Sequence, residues 1–330
     1  MNRKRFIRAT LIMAAIIIVG LYVRIDYFIV RPSRAVELGT LISVENAFDV
    51  QDRGRLYLVT ISQQRASIFT AIYGYIHPYM EVKAIDTVIP DGMDEVEYRQ
   101  QLREIMSESQ QLAQVVALRR AGYEVDILSD GVIVIGLLDE APAENYLEEG
   151  DLIIEVDNSR VSLATEVSAI VQDRLVGEEV KLLVTRQEVN LELIIPTGAN
   201  PDDSDMPFLG ILIQTSSLEP QIPIAIEMNT GRIGGPSAGL MFVLEILNQL
   251  TPEDITRGKS IAGTGTIDLN ENIGRVGGVR QKVVAAKNAG AEIFFVPFGN
   301  YDQAAGVIGN IEVVPVKNLE EVLFYINNLE

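Results

Sequence analysis

"GRIGGPSAGLMFVLEIL", Gly231 to Leu247, sets one serine among glycines and a proline just before a strongly apolar run. Leu240, Val243, Leu244, Leu247 and Leu250 recur at i, i+3, i+4 spacing, which predicts a helix with one buried face. Pro236 suits the first turn of such a helix, where a missing N–H is harmless. Unpaired backbone N–H groups of that turn carry partial positive charge and point toward Ser237, where they could hold a tetrahedral oxyanion. Gly234, Gly235 and Gly239 would let a substrate backbone approach closely. Two readings stand on this stretch alone. Either Ser237 caps the helix and the glycines are packing, or Ser237 is a nucleophile whose oxyanion and substrate loop is Gly234, Gly235 and Ala238.

A serine nucleophile needs a base. The chain of 330 residues has no Cys and a single His, His77, so thiol catalysis and multi-His zinc sites are excluded. Its acidic residues form no run of metal-loop spacing, and no metal or other cofactor is expected. His77 lies in the apolar stretch "YIHPYM" (75–80) and reads as a partly buried structural residue. A lysine can serve instead if burial brings its pKa from about 10.4 toward neutrality. Lys282 suits that task. "VGGVRQKVVAAKNAG" (276–290) opens with a Gly pair and runs into a helix with Val279, Val283 and Ala286 on one face. Lys282 sits beside that face in the first turns, where burial and the positive helix end both disfavour the ammonium. Composition alone leaves it one lysine among many, and Lys287 reads as solvated.

Lys plus Arg number 27 against 46 Asp plus Glu, a formal charge of −19, which repels phosphate backbones and argues against nucleic acid as a partner. The amino terminus departs from that balance. "MNRKRFIR" (1–8) is basic, and "ATLIMAAIIIVGLYV" (9–23) carries no charge. That run is short of the about 20 residues a bilayer needs. Ile25 to Val30 extend the predicted transmembrane helix to residues 9–30, with Arg8 and Arg24 reaching for the headgroups. A cleaved signal peptide competes with this reading, but Leu21-Tyr22-Val23-Arg24 offers no small-residue cleavage pattern. The preceding basic residues predict a cytoplasmic amino terminus and an extracellular body.

Beyond the anchor, "AVELGTLISV" (35–44) and "GRLYLVTIS" (54–62) read as strands. "ASIFTAIYGYI" (66–76) and residues 94–122 read as helices, the latter ending at Gly122 after Arg119 and Arg120. From Tyr123 the pattern becomes short strands around one short helix. "APAENYLEEGDLIIEVDNSRV" (141–161) and "VGEEVKLLVTR" (176–186) resemble a bacterial PDZ domain spanning 123–196, a module that binds an extended peptide at a sheet edge. "TGANPDDSDMP" (197–207) reads as a boundary loop, and strands and helices mix after it.

"GGPSAG" together with "TGTIDLNENIGRVGGVRQKVVAAKNAGA" (264–291) closely resembles the proteolytic domain of Lon-type serine proteases. That resemblance implies Ser237 as nucleophile, Lys282 as general base and Thr264 as a residue that helps position the lysine. With the anchor and the PDZ-like segment, the order matches the membrane-anchored PDZ-Lon proteases of Gram-positive bacteria. The implied fold class is α+β: a Lon-type (ribosomal protein S5 domain 2-like) domain in two parts, 36–122 and 201–330, with the PDZ-like domain inserted. Two departures from ATP-dependent Lon stand out. Gly234 replaces an acidic residue three before the serine. "TRGKS" (256–260) imitates a P-loop tail, but Glu253 stands where a glycine is needed. The expected function is an ATP-independent endopeptidase cleaving flexible extracytoplasmic peptides or proteins. The alternatives are a non-catalytic PDZ peptide-binding scaffold and a small-molecule kinase using the Gly-Ser-Ala turn for phosphate.

Overall fold

The computed structural model describes residues 11–14, 20–48, 53–90, 92–201, 203–217, 219–307 and 309–329. The basic amino terminus, residues 1–8, and residues 9–10 and 15–19 of the expected anchor lie outside the described residues. Residues 11–14 and 20–22 are helical, and no described helix is long and apolar enough to cross a membrane.

The expected span over 9–30 is corrected at its far end, because Ile25 to Val30 belong to a strand, β1 (Arg24–Glu37). The strand is hydrogen-bonded on both edges, to β2 (Arg55–Ser67) and β3 (Glu81–Ala84), both antiparallel. Phe28, Ile29 and Val30 are all buried. A central strand covered on both faces gives a continuous apolar run, which periodicity alone does not separate from a helix. β1 also ends at Glu37, so "AVELGTLISV" is not one strand; a turn over 38–40 leads to a separate short strand, Ile42–Val44.

Helix α1 (Ile68–Ile76) follows β2, and the long helix α2 (Glu95–Arg120) follows β3. α2 starts where Asp94 accepts from the N–H groups of Val96 and Glu97 while Glu97 accepts from the Asp94 N–H, a reciprocal cap. A second, all-antiparallel sheet comes next: β4 (Gly131–Leu137), β5 (Leu152–Val156), helix α3 (Ala164–Gln172), β6 (Glu179–Arg186), β7 (Val189–Pro196) and β8 (Ile211–Ser216). Its order is β7-β6-β5-β4-β8.

Two expectations change here. Residues 197–207 are not simply a loop, since 198–200 and 203–208 pair as a hairpin. Past the expected boundary at 196, β8 pairs with β4 and Leu209 joins that sheet's core. A strand's partner is a long-range choice that local pattern does not carry. In "YEVDI" only Ile127 is a described strand residue beside Leu128, pairing with 219–220.

The chain then returns to the first sheet through α4 (Gly239–Leu250), β9 (Ser260–Gly263), α5 (Val279–Asn288), β10 (Ile293–Pro297), β11 (Glu312–Val316) and α6 (Leu319–Asn327). The order β11-β10-β9-β2-β1-β3 joins strands from both sides of the second sheet. It is parallel from β11 to β2 and antiparallel beyond. α4 is the centre of the core: Leu240, Phe242 and Leu244 are fully buried against Leu58, Ile261 and Phe295 of the sheet and Met106 and Val116 of α2. Burying each such side chain contributes about 1.5–3 kcal/mol, which fixes the start of α4 between α2 and the sheet.

Candidate active site

Ser237 lies in the turn before α4. The helix starts at Gly239 with Ala238 in the cap position, and no side chain caps it. The helix-cap reading of Ser237 is therefore overturned, and Pro236 precedes the first helical turn instead of lying in it. α2 holds this turn from behind. The Gly235 N–H donates to the Leu102 carbonyl at 2.8 Å, and Ser109 Oγ donates to the Pro236 carbonyl at 3.1 Å. Leu102 and Ser109 are two turns apart on one helical face.

The glycines are needed for this seat. Gly235 has φ 87°, and a Cβ on Gly234 would stand 2.9 Å from Leu102 Cβ and 3.1 Å from the Leu102 carbonyl. A Cβ on Gly234 would thus meet α2, while Gly234 itself lines the same cleft as Ser237, and the Gly235 N–H is already committed. The N–H groups of Ser237 and Ala238 have no acceptor among the described residues. Of the expected oxyanion residues, Gly235 has its N–H committed, whereas the N–H groups of Gly234 and Ala238 have no acceptor among the described residues, and that of Ala238 directly follows Ser237.

The strand β9 brings the next group. Thr264, immediately after it, donates from Oγ1 to the Ser237 carbonyl at 3.0 Å, and the Gly265 N–H donates to the same oxygen at 2.9 Å. Gly278, in the left-handed region at φ 67°, turns the chain into α5, whose Val279 and Val283 bury against the sheet. Lys282, one turn in, is only 4% exposed. Its Nζ donates to Ser237 Oγ at 2.9 Å and to Thr264 Oγ1 at 3.1 Å. Burial pushes its pKa from 10.5 down to about 7. Among the described residues no carboxylate pairs with it, so no ion pair offsets the cost of desolvating the ammonium. His77 stands apart: it caps the end of α1, where its Nδ1 accepts from the Tyr79 N–H at 3.2 Å.

Ser237 and Lys282 open into a cleft of ≈ 940 Å³. Phe28 and Val30 of β1 and residues 59–63 of β2 form one wall; Leu138, Asn200 and Phe208 of the second sheet unit form another. β9 pairs with β2 only over Arg55–Leu58, so the edge of residues 59–63 facing the cleft has no strand partner among the described residues. Among those residues no cluster of His, Asp and Glu is placed to hold a metal ion.

Residues that local pattern did not single out complete the support. Glu108, next to Ser109 on α2, is buried and accepts from the Thr215 N–H at 2.9 Å and from Thr215 Oγ1. Thr215 Oγ1 in turn accepts from the Ala164 N–H at 3.0 Å, at the start of α3. Burial raises the Glu108 pKa, and the two Thr215 bonds partly counter it. One stretch of α2 therefore touches both the serine turn and the second sheet. The available signal was a Glu-Ser pair on the apolar side of a long helix, among Ile105, Leu112 and Val116.

Residues 213–327 match the family model of the Lon protease (S16) C-terminal proteolytic domain. That segment is a Lon-type serine peptidase domain. It contains Ser237, Thr264 and Lys282. The chain is 36% identical over 91 residues to Lon protease 2 of Bacillus subtilis, and 33% identical over 110 residues to the archaeal Lon protease of Methanocaldococcus jannaschii. These matches cover 28% and 33% of this chain, and the chain covers 16% of the length of each relative. Among solved structures, the PDZ domain of an SdrC-like protein from Listeria monocytogenes is 30% identical, covering 27% of this chain and 92% of that one, with a TM-score of 0.25. The PDZ domain of an SdrC-like protein from Listeria innocua is 32% identical, covering 26% and 93%, with a TM-score of 0.24.

Proposed function

We propose that the chain is a membrane-anchored, ATP-independent serine endopeptidase working through a Ser237–Lys282 dyad. The observation that carries this reading is the buried Lys282 Nζ, 2.9 Å from Ser237 Oγ with a pKa brought down to about 7. A neutral amine keeps one N–H on Thr264 Oγ1, whose own hydrogen is given to the Ser237 carbonyl, and this turns its lone pair toward the serine hydroxyl. The amine takes the Oγ proton as Oγ attacks a peptide carbonyl. The tetrahedral oxyanion is held by backbone N–H groups, that of Ala238 foremost. The ammonium returns its proton to the leaving amine, an acyl-serine remains, and Lys282 then deprotonates the water that hydrolyses it.

The unpaired edge at residues 59–63 lies beside Ser237 and suits a substrate backbone added as a further strand. Such a substrate must arrive extended, and the absence of a P-loop in the sequence supports flexible segments over folded proteins. In the PDZ-like unit, β8 pairs with β4 on one edge only, and α3 lies against its other side, an arrangement that suits peptide capture for substrate selection. The basic residues 1–8 and the charge-free run 9–23 support an anchor with the catalytic body outside the cell. The test is cleavage of an unfolded reporter by the purified full-length chain. Ser237→Ala is expected to abolish it without changing the melting profile, and persistent cleavage would refute the assignment.

A further inference from the structure

Helix α1 is built inside out for a water-exposed helix. It packs on the sheet through its small residues, Ala71 and Gly74, against Ile29 and Val82. Its large apolar residues, Ile68, Phe69, Ile72, Tyr73, Tyr75 and Ile76, face outward, with Tyr75 73% and Ile76 77% exposed. From Ser67 to Met80 there is no charged residue, in a chain carrying 46 acidic and 27 basic ones. A contiguous apolar surface of this kind on a water-facing helix marks an interaction site. Its neighbour identifies the occupant. Gly20 lies directly on the Phe69 ring, a Cβ there standing 2.4 Å from it, and the residues that follow, Leu21, Tyr22 and Val23, are also exposed. The patch therefore continues the apolar run that reads as the anchor.

We infer that α1 is a second membrane contact, an interfacial helix that seats the catalytic body on the bilayer surface, its tyrosine hydroxyls at headgroup level. This inference rests on the anchored reading above. It has a consequence for the cleft. Ile29 of β1 packs toward α1, while its neighbours Phe28 and Val30 line the cleft on the opposite face of the same strand. Seating α1 fixes the cleft one layer of packing, about 10 Å, above the seat, instead of leaving it to swing on a tether.

The chain has no Trp, so a single introduced indole reports on its own position. Full-length Tyr75→Trp is reconstituted into vesicles of phosphatidylcholine and phosphatidylglycerol with brominated acyl chains. Phe324→Trp, on an exposed position (70%) of α6, is the comparison, and Ile76→Trp repeats the readout one residue along. The inference expects blue-shifted, strongly quenched emission from positions 75 and 76 and neither effect at 324. Vesicle-bound protein with position 75 unquenched overturns the seat and leaves the anchor standing. A blue shift there without quenching assigns the face to a second copy of the chain and overturns the seat as well. Protein that does not float with the vesicles refutes the anchor and the seat together.

Discussion

Replacing Lys282 by Met is predicted to stabilise the fold while ending catalysis. Burial moves the lysine pKa from 10.5 to about 7. At about 1.36 kcal/mol per pH unit, that difference costs the folded state roughly 4–5 kcal/mol below pH 7, where folded and unfolded chains both hold the proton. As pH rises from about 7 toward 10.5 the unfolded chain alone stays protonated, so the cost declines, to roughly 2 kcal/mol at about pH 9. Methionine keeps the length and the apolar stem without the charge. It also leaves the hydroxyls of Ser237 and Thr264 each without one partner, an offset of about 0.5–1.5 kcal/mol apiece. The variant is then more stable by roughly 1–4 kcal/mol at about pH 6, with the gain shrinking as pH rises. Equilibrium denaturant unfolding of both proteins across pH measures it. A variant less stable at every pH, or a gain that ignores pH, would contradict the buried-amine argument.

Cleavage by the parent enzyme should rise with pH through about 7 as Lys282 loses its proton, read as kcat/KM against pH. Thr264→Val should lower kcat more than it raises KM, since it removes the partner that orients the amine; an unchanged kcat would remove Thr264 from the site. Gly234→Ala forces its Cβ into the Leu102 backbone and should cut activity more than tenfold with a small change in melting temperature, because the strain falls on the serine turn. Glu108→Ala leaves the Thr215 N–H and hydroxyl buried without an acceptor and should cost about 1–3 kcal/mol in unfolding free energy. Leu244→Ala, in the fully buried centre of α4, should cost about 2–5 kcal/mol.

Much of the site was legible because its chemistry is written in short motifs. The turn at 234–239 and the helix entry at 276–282 are local, and Lys282 stood beside an apolar face in the sequence, which is where the fold buries it. Elements whose fate depends on distant partners were harder to read. β1 looked like the end of a membrane helix because a strand buried on both faces and a helix share the same apolar run. β8 looked like part of the second half of the protease, since nothing near Ile211 says that it will pair with β4. The role of α2 was hidden for a further reason. Ser109 and Glu108 act through hydrogen bonds to one residue each, more than a hundred positions away, and such bonds leave no periodic trace.

The most direct measurement is covalent labelling of the serine by a fluorophosphonate, followed by intact mass and peptide mapping of the full-length protein. The account predicts one adduct, on Ser237, formed faster as pH rises through about 7. It predicts an unchanged adduct in His77→Gln and none in Lys282→Arg, whose guanidinium keeps its proton at every accessible pH. Labelling of Lys282→Arg at the parent rate, or loss of labelling in His77→Gln, would contradict the buried lysine as the base.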